Sequence, residues 1–271
     1  MTARTGAGIR PAIRFDHVSK AFDNRPAVED IDLAVAPGSF TVLIGPSGCG
    51  KSTLLGMSAG LEPPTEGYVF VHDCEVKGPT EGTALLFQQH NLFPWMTAAG
   101  NVAFALENTG LSRRDARGEA LRLLGHVGLG AFADKVPAEL SGGMRQRVAL
   151  VRAFALKPRL LLMDEPFGAL DHQTRRMMQA YLLATWRDSG ATVMLVTHDL
   201  TEALVLADRI VLMSGSPGRV TEVIDVIAPR PRDLADPALA AICRRLEAHL
   251  EAEAIRGEFG PDELARLGVL S

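Results

Sequence analysis

Ser39-Phe40-Thr41-Val42-Leu43-Ile44-Gly45-Pro46-Ser47-Gly48-Cys49-Gly50-Lys51-Ser52-Thr53-Leu54-Leu55-Gly56-Met57 decides the fold of this chain. Its middle, Gly45 to Ser52, fits the phosphate-binding loop G-x-x-x-x-G-K-[ST] at every required position. An apolar run of strand type precedes it and a run of helix type follows, the context that the pattern needs. Backbone N–H groups of such a loop converge on phosphate oxygens, and the positive end of the following helix adds to the field. Lys51 is expected to reach the β- and γ-phosphates, and the Ser52 hydroxyl to hold Mg²⁺. Pro46, Ser47, Gly48, Cys49, Gly50 and Thr53 complete the cradle.

On either side of the loop the chain alternates. Ala12 to His17 and Val28 to Val35 read as strands, the second with Val28, Asp30, Asp32 and Ala34 on one face and Glu29, Ile31, Leu33 and Val35 on the other. Tyr68 to Val71 and Ala84 to Phe87 are two more. From about Asn91 to Ala155 the pattern turns helical, with a capping-box signal at Ser112 and Asp115. Strand and helix then alternate again: Leu160 to Met163, Gln173 to Trp186, Ala191 to Val196, Leu200 to Leu206, Ile210 to Met213, with an edge strand within Gly218 to Ile227. Such alternation predicts an α/β fold with a mostly parallel sheet, and the helical block reads as a separate subdomain. Pro229-Arg230-Pro231 marks a boundary. Beyond it Leu239, Ile242, Leu246 and Leu250 recur at helical spacing, and Pro261 to Gly268 reads as a small helix.

Composition narrows the function. The 271 residues carry a net charge of −4, which argues against a general nucleic-acid binder. Cys49, Cys74 and Cys243 form no C-x-x-C pair, so neither a disulfide framework nor a zinc site is expected, and a reducing cytosol fits best. Cys49 sits near a helix N-terminus, where a thiol's pKa can fall; the simpler reading is that the slot needs only a small side chain. No apolar run approaches the ~20 residues that span a bilayer, and Met1 to Arg10 has no stretch of signal-peptide type. The chain is expected to be soluble, or to reach a membrane through a partner.

Four further segments carry chemistry. Leu160 to Met163 is an apolar strand that ends in Asp164 and Glu165. An acid there can hold the Mg²⁺ that bridges the phosphates, and its neighbour can polarise an attacking water. Leu140-Ser141-Gly142-Gly143-Met144-Arg145-Gln146-Arg147 opens a helix, with Ser141 as N-cap and two glycines that let an anion approach the backbone. Thr197-His198-Asp199 follows a strand at the end where open α/β sheets bind ligands. Gln88, after another strand, offers a carbonyl oxygen to Mg²⁺ and a contact to water.

In this order the motifs resemble those of the nucleotide-binding subunit of an ATP-binding cassette (ABC) transporter. The resemblance covers about Ile13 to Ile227. It makes Gly45 to Ser52 the Walker A motif, Gln88 the glutamine loop, Leu140 to Met144 the signature, and Leu160 to Asp164 the Walker B motif. Glu165 becomes the catalytic base, Ala169-Leu170-Asp171 the D-loop and His198 the switch histidine. The fifth signature position is Met144 where the family usually has glutamine. Phe22 occupies the place of the adenine-stacking aromatic. The resemblance implies a P-loop NTPase core over 11–228, an antiparallel β subdomain, a helical subdomain inserted at about 91–156 and a helical extension over 229–271. It also implies ATP and Mg²⁺, and two subunits, expected to be identical, that sandwich two nucleotides so that Ser141, Gly142 and Gly143 of one cover the ATP of the other.

Finer features resemble the nitrate/sulfonate/taurine importers: Leu92 to Thr97, Leu140 to Ala149, Asp164 to Asp171, Ser216 to Val220 and Pro229 to Arg232. They imply a separate membrane permease, which would receive its coupling helix beside Leu92 to Thr97, and a solute-binding protein. They imply a place on the cytoplasmic face of a bacterial inner membrane. The alternative is a soluble ABC-type ATPase acting on ribosomes or nucleic acid. Such proteins usually carry tandem cassettes or a long coiled coil, and this chain has neither.

Overall fold

The computed structural model describes residues 10–89 and 91–258; the small helix expected at Pro261 to Gly268 lies outside them. The described chain forms two compact units, one built from the segments up to Thr80 and from Met194 onward, the other from Glu81–Val193.

The first segment opens with β1 (Ile13–Phe22), β2 (Arg25–Val35), β3 (Phe40–Ile44), α1 (Lys51–Ser58), β4 (Glu66–Val71) and β5 (Cys74–Glu75). Strands β2-β1-β4-β5, in that order, make an antiparallel sheet. Ile13 pairs with Val35 on one side and Val71 on the other, and Phe15 with Leu33 and Val69, so one face is apolar and buried. Two expectations need correction here. β1 runs past His17 to Phe22, and Val28 is buried along with Ile31, Leu33 and Val35 instead of facing away from them. The cause is a bulge. His17 and Asp30 take left-handed φ values of 47° and 49°, the register slips between Phe15 and Val18, and each strand changes phase. His17 Nδ1 lies 2.8 Å from Asp30 Oδ1 across the bulge.

The middle unit holds β6 (Thr83–Leu86), α2 (Ala98–Glu107), α3 (Arg113–His126), α4 (Gly142–Ala155), β7 (Leu160–Asp164), α5 (His172–Ser189) and the start of β8 (Thr192–Val196). β6 and β7 pair in parallel, Thr83 with Leu160 through Leu86 with Met163. Each helix starts on a side-chain cap: Thr97 accepts from Gly100 N–H, Ser112 from Asp115, Ser141 from Met144 and Asp171 from Thr174. The helical block expected at about 91–156 lies within this unit.

The returning segment adds α6 (Leu200–Leu206), β9 (Arg209–Met213), β10 (Val220–Asp225) and α7 (Pro237–Glu258). β9 pairs in parallel with β3 and antiparallel with β10, and Thr197 N–H, just past β8, donates to Leu43 O. The fold is thus α/β, with a mixed sheet of mostly parallel strands and an antiparallel one. Among the described residues no helix is long and apolar enough to cross a membrane.

The carbonyls at the end of α6 are met by two arginines from the Pro229 to Arg232 segment. Arg230 binds Leu206 O and pairs with Asp208 at 2.7 Å. Arg232 donates to Leu204 O, Ala207 O, Val226 O and Ala228 O. Burial, with Arg230 close by, pushes the pKa of Arg232 down to about 10. A cation suits a helix C-terminus, and the planar fork can serve several carbonyls at once.

Arg232→Met leaves the carbonyls without their donor and is expected to cost about 2–4 kcal/mol in urea unfolding; unchanged stability would show that the guanidinium is not the cap. The hydrogen bond to Asp30, then its charge, raises the pKa of His17 above 6.5. This contribution to stability is full below the unfolded value and fades as pH rises through the folded one. An NMR titration should place His17 above 6.5 in the native chain and near 6.5 in Asp30→Asn.

Candidate nucleotide site

The loop Gly45 to Gly50 leaves the end of β3 and enters α1 with φ of 78° at Gly48 and 85° at Gly50. Residues with a Cβ rarely adopt these values. Lys51 Nζ crosses the loop and donates to Gly45 O at 2.8 Å and Pro46 O at 2.7 Å. The ammonium is buried. Its third neighbour is Cys49 Sγ at 3.5 Å. Ser52 and Ser47 are exposed, while Cys49 is fully buried. Burial pushes the Cys49 thiol up, outweighing the lowering effect of Lys51. The direction is opposite to that of an activated thiol, and the slot takes a small buried side chain.

The same unit carries Phe22 and His198. Phe22, at the end of β1, is 42% exposed, and Lys20 Nζ lies 4.8 Å from its ring centroid. Phe22 is thus not a core residue. His198 is exposed just past β8. Its two neighbours are pinned: Thr197 Oγ1 donates to Glu202 Oε2 at 2.6 Å, and Asp199 Oδ1 accepts from Thr201 and Glu202 N–H. Glu202, only 3% exposed, went unread in the sequence. The Asp199-x-x-Glu202 spacing of a capping box was the available signal, although here the glutamate turns to Thr197.

In the other unit Asp164 ends β7 and Glu165 follows with φ of 46°, a left-handed value at a non-glycine residue. Such backbone costs about 1–3 kcal/mol and persists only where surroundings hold it. Two glutamines do so. Gln88 Nε2 donates to Glu165 Oε2 at 3.2 Å. Buried Gln146 donates to Glu165 O at 3.2 Å and accepts from Ala169 N–H at 3.1 Å. Gln146 lies on α4, whose N-cap is Ser141, so the turn after β7 is strapped to the start of that helix. Gly143 packs against Leu170 and Ala169. Asp171 is fully exposed and caps α5; the Thr174 backbone N–H, with its hydroxyl, holds the Asp171 carboxyl below its usual range.

The structure thus brings Gln88 and Glu165 together, and sets Ser141, Gly142, Gly143 and Asp171 on the elements that flank them. It sets Lys51, Ser52, Phe22 and His198 in the unit with β3. The donors proposed for Mg²⁺ are a hydroxyl, a carboxylate and an amide carbonyl. All are hard oxygens of the kind that cation takes. Gln88 turns its –NH₂ to Glu165, and its carbonyl oxygen is the atom that could face a cation.

Beyond Gln88, Phe93 packs at 5.2 Å from Phe104 and 5.6 Å from Trp95, with Arg152 over its ring. Fully buried Asn101 accepts from Phe93 N–H and donates to Phe93 O, Met96 O and Thr97 O. Phe93 is therefore half-buried packing, whereas Trp95 is 74% exposed.

Known proteins bear on this geometry. The family described as ABC transporter matches residues 28–168. A putative ATP-binding protein of Brucella abortus (strain 2308) is 45% identical over 241 residues, 88% of this chain and 93% of the relative. The taurine import ATP-binding protein TauB of Yersinia pestis bv. Antiqua (strain Antiqua) is 46% identical over 201 residues, 74% of this chain and 79% of that one. Among solved structures, a dimeric bacterial ABC transporter cassette is 32% identical with a TM-score of 0.73, covering 80% of this chain and all of the other. A dimeric post-hydrolysis cassette bound to ADP and Pi is 31% identical with a TM-score of 0.72 and the same coverage. A phosphate loop on a parallel strand, a braced glutamate after β7 and these relatives agree: the chain belongs to the ABC transporter family and is an ABC-type ATPase.

Proposed function

We propose that this ATPase energises an importer for a small anionic solute of the nitrate, sulfonate or taurine type, through a separate permease on the cytoplasmic face of a bacterial inner membrane. The observation that carries the reading is the Gln88–Glu165 hydrogen bond. It joins the hydrolytic carboxylate to the segment whose next turn, pinned by Asn101, exposes Trp95. A partner pressing on that turn can thus act on the carboxylate. Support for the importer class comes from the similarity to TauB.

In this reading the phosphate-loop amides and Lys51 hold the β- and γ-phosphates, and Phe22 stacks the adenine. Ser52, Asp164 and Gln88 hold Mg²⁺, which supplies charge neutralisation at the phosphates when bound. Glu165 accepts a proton from the attacking water, and His198 donates to the γ-phosphate. Lys51 already donates to two loop carbonyls. Phosphate oxygens can take over these bonds, so the ammonium is positioned before nucleotide arrives. Ser141, Gly142, Gly143 and Asp171 of a second, identical copy cover the ATP, as supported by the dimeric cassettes of similar fold. A solute-binding protein would complete the system.

Three variants separate these roles. Lys51→Ala is expected to weaken ATP binding. Glu165→Gln should keep binding, lower turnover at least about 100-fold and leave an ATP-bound dimer on gel filtration. Ser141→Arg should bind ATP as a monomer yet not hydrolyse it, and normal turnover would refute the shared site.

Trp95→Ala should change stability by less than about 0.5 kcal/mol, because the ring is exposed. It should leave the isolated chain's ATPase rate unchanged but weaken its association with permease-bearing membranes. Unchanged association would remove Trp95 from the partner surface. The decisive test is capture of Glu165→Gln from native membranes in ATP. A multi-span permease supports the importer; ribosomes or nucleic acid without one would overturn it.

A further inference from the structure

The loop between β9 and β10, Ser214 to Arg219, lies behind the phosphate loop. Gly218 N–H donates to Ala27 O at 2.9 Å, and Gly218 O accepts from Glu29 N–H at 2.9 Å. Arg219 pairs with Glu29 at 2.7 Å. Gly218 sits so close to the Cys49 carbonyl that a Cβ there would collide with the oxygen. The backbone of the cradle thus rests on Gly218.

The other end of this loop is held by α7. Gly215 N–H donates to Glu253 Oε2 at 2.6 Å, and Arg256 pairs with Glu253 Oε1 at 2.5 Å. The Glu253 side chain is only 4% exposed. α7 is docked by buried Leu239 and Leu246, by His249 against Met213 O at 3.3 Å, and by an Arg245–Glu222 ion pair. Those groups suffice for packing. A buried carboxylate is costly unless it makes strong hydrogen bonds, and here it makes a charge-assisted, directional one to a glycine. Ala27 and Glu29 hold the Gly218 end of the loop, and the bond to Glu253 fixes the other end at Gly215, where glycine leaves the backbone its widest freedom.

We propose that Glu253 is a positioning residue for nucleotide binding: through Gly215 and Gly218, α7 sets the place of the Cys49 carbonyl and so the aim of the phosphate-loop amides. This rests on the Gly45 to Thr53 loop being the nucleotide cradle. The coupling is reciprocal, so nucleotide must also tighten the hold on α7.

The test uses the purified full chain and MgADP. Glu253→Ala is expected to raise the Kd for MgADP roughly tenfold, and Glu253→Gln, whose amide oxygen still accepts from Gly215, to stay within about threefold of the native value. Val69→Ala, which removes buried methyl groups from β4, should lower Tm without moving Kd. In the unaltered chain MgADP should slow hydrogen exchange of the Gly215 amide and of α7. A folded Glu253→Ala with native Kd overturns the inference. So does exchange in α7 that ignores MgADP, which decides the matter even where the variant fails to fold. Lys51→Ala is the control: if it too leaves Kd unchanged, the cradle assignment itself is wrong.

Discussion

A loop that binds an anion with backbone N–H groups must aim several of them at one point, and a lysine that also serves the anion cannot alone hold it there. The hold has to come from behind. In this chain the supports are Gly218 against the Cys49 carbonyl and the Ala27 to Glu29 stretch of β2, where the Val28 side chain and the Ala27 carbonyl back onto Gly50. Only glycine allows such approach at 50 and 218. The bulge in β2 serves the same end, since its change of phase at Asp30 turns Val28 inward. Even the burial of Cys49 follows, because the side chain fills the small space left among Gly45, Lys51 and Met213.

The carboxylate side of the chemistry meets the opposite problem. Glu165 has to stand in a strained conformation at the end of an otherwise apolar strand. Strain of that kind relaxes unless side chains hold the backbone from both ends. Gln146 does this with one amide that accepts from Ala169 and donates to Glu165 O. Because Gln146 belongs to α4, any tilt of that helix reaches Glu165 directly. The Ser141 to Met144 sequence at its start is therefore tied to the turn after β7 within one chain.

Local patterns were readable in the sequence. The strand–loop–helix around Lys51, the apolar run before Asp164 and the caps at Ser112 and Ser141 each lie within a few residues. Their residue types and spacing show in a short window, even where, as at the phosphate loop, distant residues support the final geometry. The residues that were not readable act at a distance. Gln146 meets Glu165 across 19 positions and Glu253 meets Gly215 across 38. Neither has a short-range signature that sets it apart from a solvated helix residue. The phase change at His17 and Asp30 was hidden for another reason. Alternation predicts unbroken strands, whereas a bulge inserts a residue that the pattern does not mark. The family resemblance carried the motif assignments, and the antiparallel sheet and cassette-like fold agree with it.

The end of the chain shows why packing and positioning should be kept apart. Arg230 and Arg232 close the carbonyl end of α6, and the Asp199 carboxylate closes its amide end. A helix of seven residues has few internal hydrogen bonds of its own. With both ends closed it can keep a fixed place beside Thr197 and Glu202, and the exposed His198 inherits that fixity. Leu239 and Leu246 give α7 its adhesion, which any apolar pair of the right size could do. Glu253 gives it a direction, because a hydrogen bond to one amide fixes that amide's position in a way dispersion cannot. The same distinction holds at the phosphate loop, where Val28 fills space and Gly218 sets distance.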